Sequence, residues 1–113
     1  MTIFKSPIFL YSPSCISLES ALSFYGIITR FPYQITSITS KKTKPIKTLN
    51  KEFFYSHIKP QLFFDYEKRE KFLIASKEKA LFDYLYFCSK GLRTFEKDDF
   101  DLNLINKKKF FLF

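Results

Sequence analysis

Apolar residues fall at helical spacing in two stretches of the chain. In the first, Leu18, Ala21, Leu22 and Tyr25 share one face. Ser17 stands in position to cap this helix, its hydroxyl accepting from an orphan amide one turn on. Gly26 closes it, because a left-handed residue past a helix end costs glycine nothing. Such a helix has only about two turns and needs partners to be stable. In the second stretch, Ala80, Leu81, Tyr84, Leu85 and Cys88 form an apolar stripe. Ser76 is its predicted N-cap, Glu78 favours the helix dipole from the first turn, and Lys90 with Gly91 ends it. Phe82, Tyr86 and Phe87 lie off the stripe, which predicts a helix covered on two sides.

The sequence between these helices reads as β-structure. Residues 33–39 (YQITSIT) are rich in β-branched side chains and follow Pro32. Residues 41–47 carry Pro45 and read as a loop or a polar edge strand, since proline cannot serve a central ladder. Residues 52–58 (EFFYSHI) form another strand, with a turn at Leu49, Asn50 and Lys51, and residues 72–75 (FLIA) suit a short buried strand. Residues 94–106 offer a short third helix around Phe100, Leu102 and Leu104, and the final KKKFFLF reads as an end without a partner inside the chain. The predicted fold class is α+β, two main helices packed on a small, mostly antiparallel sheet of about four strands.

Composition narrows the choice of function. The 113 residues suit one domain, and 46% hydrophobic content with 27% charged residues excludes a disordered chain. No apolar run approaches the ~20 residues of a membrane-spanning helix. The first residues make a poor signal peptide, so a cytoplasmic location without a membrane partner is expected. Cys15 and Cys88, far apart and outside any CxxC, are expected to be reduced thiols. His57 is the single histidine, which excludes a multi-histidine metal site. It ends a strand, and a hydrogen-bonded structural role is its default. No nucleophile–base pair stands out, so neither catalysis nor a cofactor is expected.

Charge is unevenly spread. The net charge is +8, although 16 Phe and abundant Lys and Ile are what translation of an AT-rich gene would produce, which weakens the case for a nucleic-acid partner. Between Arg30 and Lys59, Arg30, Lys41, Lys42, Lys44, Lys47, Lys51 and Lys59 face a single acid, Glu52. This block is either a solvated hairpin edge, guarded by lysine against strand pairing, or a phosphate-binding patch with Tyr33, Phe53 and Tyr55 to stack on bases.

Three segments have a familiar order and spacing. They are residues 11–28 (YSPSCISLESALSFYGII), 57–64 (HIKPQLFF) and 74–85 (IASKEKALFDYL). Together they resemble the antitoxins of type IV toxin–antitoxin systems, the AbiEi abortive-infection family. Its pieces are Y-x-P-S-x-[IV]-S-L-E-[ST]-A-L-S-x-x-G, H-I-K-x-x-L-F-F and A-S-x-E-K-A-L-x-D. The resemblance implies a domain that counteracts a nucleotidyltransferase-type toxin without a stable complex, and a transcriptional regulator in full-length relatives. It divides the chain into an N-terminal remnant (1–10), an antitoxin-like domain (11–106) and a basic, aromatic tail (107–113). With ten residues ahead of Tyr11, the family's DNA-binding winged helix is expected to be missing, and the domain is expected to be incomplete at its C-terminal side. The chain departs from the pattern at Asp65, where the family often has Gly, and at Lys77, where it often has Pro.

Glu19, Ser76, Glu78, Lys79 and Asp83 are the polar residues of these motifs. They form either a dipole-favouring carboxylate and a capped helix with a Lys79–Asp83 pair, or a polar surface that recognises the toxin, its substrate or a nucleic acid. Two other functions are a nucleic-acid-binding module built on the 41–51 hairpin and a remnant without function.

Overall fold

The computed structural model describes residues 11–69 and 72–113. The proposed remnant 1–10 therefore lies outside the described residues. Strand β1 (Ser14–Ile16) leads into helix α1 (Leu18–Phe24), followed by β2 (Ile35–Thr39), β3 (Lys44–Lys47), β4 (Glu52–His57), β5 (Tyr66–Lys68), β6 (Leu73–Ala75), α2 (Lys77–Ser89) and the short α3 (Lys107–Phe110). Three single 3-10 turns, Pro60–Leu62, Lys97–Asp99 and Leu102–Leu104, complete the order. No helix among the described residues is long and apolar enough to cross a membrane.

The fold is α+β, but the expectation of two helices on a mostly antiparallel, four-stranded sheet is wrong. The sheet has six strands in the order β3-β4-β2-β1-β6-β5, and it is mixed. β1 runs antiparallel to β2 and parallel to β6; β4 runs parallel to β2; β3–β4 and β5–β6 are antiparallel pairs. The physical reason lies in burial. β4 carries the buried Phe53, Tyr55 and Ser56 and takes an inner place beside β2, which is buried at every position. The polar β3, paired to β4 through a tight turn, is left outside. Pro45, which has no amide hydrogen, is tolerated on that edge. The opposite edge, β5, is exposed along its length and reads YEK, so charged side chains guard both edges. Three-residue strands such as β1 and β5 are too short to show an alternating pattern, which is why they escape a reading by periodicity.

α1 and α2 pack on each other; α1 also covers β2, and α2 touches β6. Leu18, Ala21 and Leu22 are buried as the helical spacing requires, and Gly26 closes α1 at φ +78°. Ser17 does not cap it: its side chain makes no capping bond and turns elsewhere. Leu18 itself takes a φ of 60° where β1 bends into α1, and its complete burial holds this strained backbone in place. Ser76 does cap α2, accepting from the Lys79 amide at 3.1 Å. The third helix expected within 94–106 is replaced by two 3-10 turns.

The end of the chain also departs from expectation, because it has partners. Phe110 and Phe113 pack edge-on against Phe82, and Phe113 against Phe64. The Asn106 amide donates to Glu78 Oε2 at 2.9 Å, and Lys109 Nζ lies 3.3 Å from Asp65 and 3.7 Å from Glu78. The aromatic side chains supply apolar area that the off-stripe Phe82 of α2 needs to leave water.

Candidate functional site

Polar residues collect in two places, one closed and one open. The closed one lies where α1 meets α2. Lys79 and Asp83, one helical turn apart, are both 0% exposed and form an ion pair. Ser17 donates to the second oxygen of Asp83 at 2.7 Å, so both carboxylate oxygens are engaged. The Lys79 ammonium also lies over the rings of Phe64 at 4.8 Å and Phe82 at 5.7 Å. Burial pushes the Asp83 carboxyl up to about 6, against the opposing pull of Lys79 and Ser17. Burial, with the charge of Asp83 nearby, pushes the Cys15 thiol up and keeps it protonated. Both cysteines are free.

A second set of bonds ties this network to the neighbouring loop. Ser76 donates to Asp65 Oδ2 at 2.6 Å, while the Ser76 amide donates to the Asp65 carbonyl at 3.0 Å. Asp65 adopts a φ of 56°, a conformation that aspartate tolerates better than most residues. On the far side of α1, Glu19 receives the Arg93 guanidinium at 2.6 and 3.3 Å.

Of the polar set expected at a recognition surface, Glu78, Lys79 and Asp83 are buried, and Ser76 is half-buried and bonded to Asp65. They hold the fold together rather than face a partner; a charge enclosed with its counter-charge is what low-dielectric surroundings permit. Glu19 is likewise occupied by Arg93. Ser17, expected only as a helix cap, and Arg93, for which no role was expected, both belong to these networks. No local signal could have joined Ser17 to Asp83 across 66 positions.

The open place lies by the β3–β4 turn. A groove of about 970 Å³ runs between α1, the segment leading into β2 and that turn. Lys47, Thr48, Leu49, Asn50, Lys51 and Glu52 form one wall, with Phe31, Tyr33 and Gln34 opposite. Phe31 is 84% exposed, Tyr33 85% and Leu49 98%. Thr48 closes the turn, donating its amide to the Lys51 carbonyl at 2.8 Å. Glu52 accepts from the Tyr33 hydroxyl at 3.0 Å and lies 3.7 Å from Lys47. Behind residues 31–34, a smaller hollow of about 520 Å³ holds Arg30 together with Glu19 and Arg93.

The expected basic block does not form one patch. Lys47 and Lys51 line the groove, and Arg30 lines the adjoining hollow. Lys41, Lys42 and Lys44 sit at the other end of β3, around Tyr11: the Lys41 and Lys44 ammoniums lie 5.2 and 5.3 Å from its ring, and its hydroxyl donates to the Lys42 carbonyl at 2.9 Å. His57 belongs to that end, its Nδ1 donating to the Lys41 carbonyl at 2.9 Å. Lys59 is exposed ahead of the turn Pro60–Leu62. Of the three rings expected to stack on bases, Phe53 and Tyr55 are buried in the core and only Tyr33 is available; Phe31, not anticipated, joins it.

No group of three or more His, Cys, Asp or Glu among the described residues is arranged to hold a metal ion. Comparison with protein-family models, with curated proteins and with solved structures finds no match for this chain.

Proposed function

We propose that the chain works as an AbiEi-like antitoxin domain, opposing a nucleotidyltransferase-type toxin by binding and not by catalysis. The observation that carries this reading concerns the two places where the sequence departs from the family pattern. Position 65, often Gly in that family, has a φ of 56°, where glycine is free of strain. Position 77, often Pro, is the first residue of α2 after its cap, where proline's fixed φ and missing amide hydrogen are favourable. The family's residues would thus fit the backbone that this chain adopts at both positions. The three motif segments also meet: Ser17 from the first bonds Asp83 of the third, and Phe64 of the second covers Lys79.

Co-expression with a nucleotidyltransferase-type toxin of a type IV system tests the reading. Restored growth is expected, with the two proteins eluting separately in size-exclusion chromatography. Growth arrest that persists while the chain is folded and abundant rejects antitoxin activity.

A further inference from the structure

We propose that the groove beside the β3–β4 turn binds single-stranded nucleic acid, with Phe31 and Tyr33 stacking on bases and Lys47, Lys51 and Arg30 neutralising the backbone. The inference stands apart from the antitoxin reading and does not need it.

Four observations converge on this groove. First, two aromatic rings separated by one residue stand almost fully in water on the same wall. Rings left exposed at such cost in apolar area offer flat faces on which any base can stack. Second, Lys47 and Lys51 line the groove and Arg30 lines the adjoining hollow, while Glu52 is the one acid in the groove's lining. That acid, Glu52, accepts from the Tyr33 hydroxyl, a bond that stays when Lys47 turns to a ligand. Third, the Lys47 side chain is 79% exposed and can swing towards a ligand with little loss, since an ion pair in water contributes little. Fourth, Gln34 and Asn50 add amide groups that match the hydrogen-bonding edges of unpaired bases.

A lipid surface would also attract lysines beside Phe31 and Leu49. The shape argues against it. The rings line a hollow of about 970 Å³ shared with polar groups, whereas insertion into a bilayer demands a convex apolar face. A duplex is disfavoured as well, because paired bases keep their faces covered and leave Phe31 and Tyr33 with nothing to stack on.

The test is fluorescence anisotropy of the intact protein with labelled oligo-U and oligo-dT of about six nucleotides, short enough to report on the groove alone. With three cations engaged, the log–log salt slope should be about −2, so raising salt from about 50 to about 200 mM weakens binding about 20-fold. Phe31→Ala and Tyr33→Ala should each weaken it about tenfold at unchanged slope. The Lys47→Ala/Lys51→Ala pair should flatten the slope by about 1.4. Lys41→Ala/Lys42→Ala/Lys44→Ala, at the far end of β3, should cost less than that pair. Because Phe31 and Tyr33 are exposed, circular dichroism should show these variants folded. Preference for U or for dT identifies RNA or DNA, and either supports the proposal. It is overturned if neither oligonucleotide binds at about 100 μM protein, where even weak non-specific contacts register. It is also overturned if a duplex of equal length binds tighter, if the aromatic variants bind as the parent does, or if phosphatidylserine vesicles bind while oligonucleotides do not.

Discussion

Lysine, carboxylate and aromatic ring meet twice in this protein, with opposite consequences. Between the helices, Lys79, Asp83 and the rings of Phe64 and Phe82 come together out of reach of water. By the β3–β4 turn, Lys47, Glu52 and Tyr33 come together in solvent. Enclosed, a charge must be paired, and every partner becomes obligatory. In water the same pair gains little, is screened by salt and leaves the ammonium free to exchange partners. The first trio therefore belongs to stability, while the second is available for recognition. Chemistry alone does not separate them; solvent access does.

The largest effect should come from breaking the enclosed pair. Lys79→Met alone leaves the Asp83 carboxylate buried without its counter-ion and should cost about 3–5 kcal/mol in denaturant unfolding at neutral pH. The double variant Lys79→Met/Asp83→Leu removes both charges and should recover most of that loss. A single variant costing under about 1 kcal/mol would mean that water reaches this pair. Ser17→Ala comes next, deleting a hydrogen bond to a buried carboxylate, at about 1.5–3 kcal/mol by the same measurement.

Acidity probes the enclosed trio more gently. The Asp83 carboxyl, raised from 3.8 to about 6, binds its proton more tightly folded than unfolded. Its contribution to stability is complete below pH about 4 and is lost as pH rises through about 6. Melting temperatures recorded across this window for the parent and for Lys79→Met/Asp83→Leu should differ in slope, the parent losing more stability on the way up. Equal slopes would contradict the raised carboxyl. At the foot of the scale, Lys47→Ala should change stability by no more than about 0.5 kcal/mol, as expected for an exposed ion pair. A loss comparable to that of Ser17→Ala would erase the contrast between the two trios.

Much of the local structure is legible along the chain. The span of α2 with its Ser76 cap, the close of α1 at Gly26, and the strands β2, β4 and β6 all follow from spacing and punctuation. Pro45 with its flanking lysines leaves a loop or an edge strand open, and β3 is the edge strand. The candidate site was legible only in part. The 30–59 stretch stood out by charge and Tyr33 by its neighbours, but the lysines divide between the two ends of β3, and Phe53 and Tyr55 vanish into the core. Glu78, Lys79 and Asp83 look like the solvated side of an amphipathic helix. They are buried because residues far along the chain, Ser17, Asn106 and Lys109, come to meet them.

From the sequence alone come α1 and α2, the strands β2, β4 and β6 and the segregation of charge, since caps, turns and periodicity act within a few residues. The tertiary structure alone decides the six-stranded mixed order, the enclosure of Lys79 and Asp83, and the docking of residues 107–113. Each depends on pairing segments distant in the chain, and burial, which sets the strength of every charge, exists only once those segments have met.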